Sequence, residues 1–133
     1  MNKRELLSPI PYIALAGILI IALKYTIIDF STIQGVSMEP TLKPGHIVVY
    51  SRIAYGVKIP IIHRYLVKWK MPESGDIIVL KDPRNKLTIV KRCQKRVGEE
   101  LFVIGDNRSD SIDSRDFGLV PINLVEGKVI FYK

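Results

Sequence analysis

Ser37, in GVSMEPTL (residues 35 to 42), has the side chain and the setting of a nucleophile, yet no histidine adjoins it. GVSME also lacks the second glycine of the G-x-S-x-G elbow that presents the nucleophile of α/β-hydrolases. Its proton must therefore go to another base. Lysine can take it only when neutral, and its ordinary pKa of about 10.4 must be lowered by burial. Strand alternation in KLTIVKRC puts Leu87, Ile89, Lys91 and Cys93 on one face and Thr88, Val90 and Arg92 on the other. Lys91 is thus flanked on its own face by apolar side chains, a poor setting for a charged amine. The pattern leaves two readings open: a buried neutral base, or an edge-strand lysine that snorkels or pairs with an acid. His46, after a Pro-Gly turn, and His63, in a basic segment, have no adjacent acid and make an unconvincing Ser-His-Asp set, although triads are assembled in space. One cysteine and two histidines 17 residues apart show no metal-ligand spacing, and neither metal nor cofactor is expected. The single cysteine, Cys93, also rules out an internal disulfide.

These residues need a scaffold. Beyond residue 30 the apolar pattern is strand-like and punctuated by turns: KPGHIVVYS, ESGDIIVLKDP, KLTIVKRC, ELFVIGDN and EGKVIFYK read as strands. No stretch there sustains a long amphipathic helix. Residues 31 to 133 are therefore expected to form one small, mostly antiparallel β domain, with residues 52 to 70 as an irregular excursion. Residues 1 to 30 read differently. Residues 6 to 23 are 18 in number without a charge, and the apolar character resumes after Lys24 through Ile28. That length predicts a membrane-spanning helix, with Lys3 and Arg4 in front to keep the N-terminus cytoplasmic. The exit, ALKYTIIDF, has no small-x-small cleavage site, so an uncleaved anchor is favoured over a removed signal.

The chain carries a net charge of +7, and residues 52 to 70 hold Arg52, Lys58, Arg64, Lys68 and Lys70 with no acid among them. Tyr55, Tyr65 and Trp69 are interleaved with those charges, a pattern suited to an anionic lipid surface. Nucleic acid is the other polyanion that fits. Next to an anchor, lipid is the better partner, and no nucleic-acid role is expected.

SMEPTL (37 to 42), PGHIVV (44 to 49), SGDIIVLKDP (74 to 83), IVKR (89 to 92) and GDNRSDSIDSRDFG (105 to 118) resemble, in order, the successive boxes of bacterial type I signal peptidases. The resemblance covers nearly the whole chain beyond residue 30 and includes the anchor. It implies a membrane-anchored serine protease with a Ser-Lys dyad: Ser37 the nucleophile, Lys91 the general base, and Ser111 the hydroxyl that orients the amine. Asp113 and Arg115 would form an ion pair holding that segment. The backbone N–H of Ser37 would be an oxyanion donor, and Met38, Leu42 and Val90 would line small substrate pockets. Two departures stand out. Gly35 occupies a position where some members carry a serine that assists the oxyanion hole. Only 13 residues, 92 to 104, separate Lys91 from Gly105, where large members insert a second β domain.

The resemblance thus implies a signal peptidase I that removes leaders from exported preproteins with small residues before the cut. It would be monomeric and single-pass in the cytoplasmic membrane, with its catalytic domain outside. The alternatives are a specialised maturation or conjugation-type protease of the same superfamily, or a non-catalytic membrane-tethered adaptor. A self-cleaving repressor is disfavoured, because no helix-turn-helix can be drawn before Ser37.

Overall fold

The structure is a computed structural model that describes residues 9–59 and 61–133. Lys3 and Arg4, residues 6–8 of the expected span and Pro60 of the basic segment lie outside the described residues.

Helix α1 (Ile10–Ile27) is apolar on every side, and Pro11 falls in its first turn, where a missing N–H breaks no helical bond. Its side chains stay exposed around the whole circumference, among them Tyr12, Ile13, Leu15, Ile18, Leu19 and Ile20. The described helix falls short of the expected membrane span. Eighteen residues rise about 27 Å, short of the roughly 30 Å hydrocarbon core. No helix among the described residues is long and apolar enough to cross a membrane.

No loop follows α1. The N–H of Ile28 still bonds Lys24 O while its backbone is already extended, and strand β1 (Ile28–Thr32) begins at once. The β region therefore takes in the last three residues, 28–30, of the segment assigned to the anchor, because IIDFST alternates and finds a partner strand. That partner is β2 (Ile47–Ser51), in antiparallel register from Ile28↔Ser51 to Thr32↔Ile47. The remaining strands of the main sheet are β5 (Ile77–Lys81), β6 (Thr88–Val97), β7 (Glu100–Ile104), β8 (Val120–Pro121) and β9 (Val125–Tyr132). They pair in the order β1-β2-β9-β5-β6-β7-β8, and each neighbouring pair is antiparallel. Among the described residues two short helical turns follow, α2 (Ser114–Phe117) and a 3-10 turn at Ile122–Leu124. A mostly antiparallel β domain is what the turn-punctuated strand pattern predicts.

The core divides in two across the sheet. Ile78 and Leu80 of β5, Cys93 of β6, and Leu101 and Val103 of β7 pack with Tyr55, Val120 and Val125 in one cluster. Ile33, Met38, Leu42 and Val48 form the other, joined by Ile77, Val90 and Val129. Buried on both faces, β5 reads as an unbroken apolar run, IIVL, instead of alternating.

Residues 52 to 70 do leave the main sheet, but not irregularly. Strands β3 (Gly56–Ile59) and β4 (Arg64–Lys68) pair as a separate hairpin. The alternating side chains of GVKI and RYLVK carry that pairing, and Gly56 at φ +153° lets Val67 O approach where a Cβ would overlap it. The charge excess is also less free than the sequence alone implies. Arg52 pairs with Asp29, Lys68 with Glu99 and Lys70 with Glu73, while Lys58 donates to Asn123 O and Val125 O. Acids outside the segment answer three of its cations and backbone carbonyls a fourth.

Gly127 of β9 is a position where packing admits no side chain, since a Cβ there would overlap Ser51 O and crowd the Tyr50 ring. Gly127→Ala is expected to cost about 1–3 kcal/mol through overpacking, lowering Tm by several degrees. Gly35→Ala, where a Cβ meets open space, should leave the thermal melt unchanged.

Candidate functional site

Lys91 sits inside β6, laddered to Ile78 of β5 on one side, with Arg92 next to it paired to Ile104 of β7. The alternation of Ile89, Lys91 and Cys93 holds: Lys91 is only 4% exposed and Cys93 fully buried. Leu87 does not belong to that face, because it precedes the strand and is exposed. The Lys91 amine donates to Ser111 Oγ at 3.1 Å, and Ser111 Oγ donates to Asp113 Oδ2 at 2.8 Å. An ionised carboxylate only accepts, so the Ser111 proton points to Asp113 and an oxygen lone pair faces the lysine. A neutral amine held by one N–H in this way keeps its own lone pair free. Burial pushes the Lys91 pKa down; the charges of Asp113 and Asp82 favour the protonated form, and those of Arg115 and Arg84 oppose it.

Asp113 anchors the segment. Its buried carboxylate accepts from Arg115 Nε at 2.8 Å and Nη2 at 2.9 Å, from the Gly105 N–H at 2.9 Å and from Ser111. It also caps α2, in a reciprocal arrangement with Asp116. Burial alone would raise its pKa, but the Arg115, Gly105 and Ser111 hydrogen bonds together hold it well below the usual carboxylate range.

Ser37 is half-buried on the turn between β1 and β2. The segment at residues 105–107 ties that turn down. Asn107 N–H donates to Ser37 O at 3.0 Å, the Asn107 amide to Val36 O at 3.2 Å, and Thr41 Oγ to Asp106 Oδ2 at 2.6 Å. Asp106 is itself held by Arg92 through contacts of 2.8 and 2.7 Å. Hydrogen bonding from Arg92 keeps the Asp106 pKa low despite its partial burial. Gly105 stands between the two hydroxyl-bearing segments, where a Cβ would overlap both Ser111 Oγ and the Ser37 carbonyl.

The five expected catalytic and supporting residues therefore converge. Lys91, Ser111, Asp113 and Arg115 form one hydrogen-bonded chain, and Ser37 borders it across Gly105. The expected pocket residues divide. Met38 and Leu42 are fully buried in the second core cluster, with Val90 packed against it. Val90 also lines an open groove of about 290 Å³, together with residues 31–35 and 88–89. Met38 and Leu42 are thus a floor beneath this region, not its surface. The groove walls end at Gly35 and Val90, two and one residues from Ser37 and Lys91 in the sequence. Sequence reasoning placed residues 31–35 in the β domain but drew no strand there and gave residues 28–30 to the anchor; the alternation of IIDFST was the available signal. It also gave Arg92, Asp106 and Asn107 no task. His46, whose Nδ1 accepts from the Lys43 N–H at 3.4 Å, occupies its turn as expected. No cluster of residues suited to hold a metal occurs among the described residues.

Because the folded Asp113 carboxyl ionises below the unfolded one, its stabilisation is fully present above the unfolded pKa of about 3.9 and is lost as pH falls from there. Asp113→Asn should be less stable than the parent by about 1–3 kcal/mol at pH 7. In denaturant unfolding the difference should shrink below about pH 4. A difference that stays constant with pH would show that the ionised form is not the one the fold holds.

Comparison with known proteins gives a coherent result. A family model described as signal peptidase, peptidase S26, matches residues 6–99 and 94–132. Signal peptidase I of Buchnera aphidicola from Schizaphis graminum is 35% identical over 65 residues, covering 49% of this chain and 21% of that protein. Signal peptidase I of Pseudomonas fluorescens is 23% identical over 111 residues, covering 80% of this chain and 39% of that protein. The mitochondrial ATP-independent inner membrane protease subunit 1b of Arabidopsis thaliana is 30% identical over 121 residues, covering 73% of this chain and 64% of its own. The chain thus spans less than two thirds of the length of each.

Proposed function

The chain belongs to the signal peptidase family, peptidase S26, and from that premise we propose that it is a signal peptidase, a serine endopeptidase that cuts leaders from exported preproteins. The observation that carries the reading is the buried Lys91 amine, hydrogen-bonded to Ser111 beside the turn that bears Ser37. In the proposed reaction Ser37 Oγ attacks the scissile carbonyl carbon while Lys91 takes the hydroxyl proton. The tetrahedral intermediate collapses, the C–N bond breaks, and Lys91 returns the proton to the leaving amine. Water then attacks the acyl carbon and gives its proton to Lys91. The C–Oγ ester bond breaks, and Lys91 returns the proton to Ser37 Oγ as the leader departs with a new C-terminal carboxyl group. Ser37 N–H serves as an oxyanion donor.

The preprotein lies extended in the groove between residues 31–35 and 88–90, where the backbone past edge strand β1 offers main-chain partners. Apolar packing of Ile33 and Val90 on Met38 and Leu42 supports narrow pockets for small residues before the cut. The matched mitochondrial protease, nearer in length to this chain, favours a dedicated processing protease of the same family as the second reading.

The all-round apolar surface of α1 supports its insertion in the cytoplasmic membrane, with the β domain of a single-pass monomer on the outer side. The bilayer would thin locally to meet so short a helix. The β3–β4 hairpin, with Ile61, Ile62, Leu66 and Trp69 exposed beside Arg64, rests on anionic lipid in the same reading.

In proteoliposomes, Ser37→Ala and Lys91→Met should each abolish cleavage of a preprotein with alanine before the cut. The unfolded lysine binds a proton that a neutral folded amine does not, so Lys91 weakens the fold at neutral pH and less so as pH rises. Lys91→Met should therefore be as stable as the parent, or more so, in thermal melts at pH 7. Retained cleavage would end the dyad reading, and a marked loss of stability would make Lys91 a charged structural residue.

Trp69 is the single tryptophan of the chain and reports on the hairpin directly. Its emission should shift to shorter wavelength in anionic relative to neutral proteoliposomes, and the shift should fade as salt rises. Equal spectra in the two lipids would remove anionic lipid as the hairpin's partner.

A further inference from the structure

A second ion pair built like Asp113–Arg115 lies at the turn leading into the Lys91 strand. In Asp82-Pro83-Arg84, Arg84 Nε donates to Asp82 Oδ1 at 3.0 Å, Nη2 to Oδ2 at 2.7 Å and the Arg84 N–H to Oδ1 at 2.9 Å. Asp113-Ser114-Arg115 makes the corresponding contacts at 2.8, 2.9 and 3.2 Å. Both carboxylates are buried and both guanidiniums reach the surface. Backbone bonds from Asp82 N to Leu87 O and from Lys86 N to Asp82 O, each 2.8 Å, close the turn that feeds β6. The Arg84 guanidinium lies over the Phe117 ring, 5.2 Å from its centroid. Phe117 ends the helical turn capped by Asp113. One arginine thus spans from the turn before Lys91 to the segment carrying Ser111.

We propose that Asp82 and Arg84 are positioning residues for Lys91: they clasp its strand to the Ser111 segment and complete a balanced set of charges around the amine. The proposal rests on the reading of Lys91 as the general base. The charged groups that act on the amine are Asp82 and Arg84 from the β5–β6 turn, and Asp113 and Arg115 from the Ser111 segment. Asp116 lies within reach of both arginines. Arg92, the next charge along β6, is engaged with Asp106. Two carboxylates favour the ammonium and two guanidiniums oppose it. A closed ion pair acts at a distance as a dipole, whereas a carboxylate stripped of its partner acts with its whole charge. Losing Arg84 alone therefore favours protonated Lys91, and losing the Asp82 charge alone disfavours it.

The test uses the full chain in proteoliposomes, with a preprotein carrying alanine before the cut, and follows kcat and KM against pH. Arg84→Gln should move the acid limb of kcat to higher pH, lowering kcat at pH 7 by about three- to tenfold with KM unchanged and recovery at alkaline pH. Asp82→Asn, which keeps the oxygen that caps the turn, should move the limb the other way. The double variant should return it near the parent's position, and Arg84→Lys should leave it in place. A purely structural role predicts instead an equal loss at every pH in all four variants, and that result, or an unmoved limb, overturns the proposal. Carbon-13 NMR titration of the Lys91 Cε signal, assigned with Lys91→Met, reads the same shifts without cleavage. If Lys91→Met still cleaves, the base reading fails. If Lys91 is needed but its titration ignores Arg84 and Asp82, only the present proposal fails.

Discussion

An amine inside a protein stays uncharged only while the carboxylates near it are answered by other cations. Much of the geometry around Lys91 follows from that constraint. Asp113 is needed to fix the Ser111 hydroxyl, yet a bare carboxylate there would hold a proton on the lysine. Arg115 meets it in a two-pronged contact on both oxygens, and Oδ2 also accepts from Ser111 and Gly105. Gly105 must then lie against the Ser111 side chain, and the same residue abuts the Ser37 carbonyl. Neutralising one charge thus draws three separate chain segments to within contact of each other.

The two principal residues are held by different means. Lys91 is in a strand with hydrogen-bonded neighbours on both sides, β5 and β7, and its Cα moves only if the sheet does. Ser37 is on a turn, where backbone pairing cannot fix it. Tethers from Asp106 and Asn107 take the place of a ladder, and Arg92 ties Asp106 back to the Lys91 strand. The turn therefore inherits its position from the strand, through side chains adjacent in sequence to the groups they serve.

Much of this was legible in the sequence, and the limits have physical causes. Alternation in LTIVKRC gave the inward face of Lys91, because the period of a half-buried strand survives one lysine. The five strands bounded by Gly, Pro and Asp turns were found, since turn chemistry is local. Strand β1 was missed because its apolar residues continue those of α1 without a turn residue between, and hydropathy cannot separate the two. The β3–β4 hairpin was missed because charge masks its alternation. Burial of Met38 and Leu42 beneath the groove, and the pairing of Arg52 with Asp29, depend on which strands become neighbours. The repeated Asp-x-Arg was visible as a string, but only the fold aligns its two copies around one amine.

The junction of α1 and β1 has a mechanical consequence. Ile27 O accepts the Arg52 N–H at 2.8 Å, and Ile28 N–H is still bonded to the helix, so the joint is clamped from both sides. A flexible linker would let the rod and the sheet swivel independently; here there is none to take up slack. One wall of the groove begins at Ser31, three residues beyond the joint. Any torque on the rod is delivered to that wall as a change in the gap between it and residues 88–90. The helix is in this sense a lever whose short arm is one jaw of the cleft.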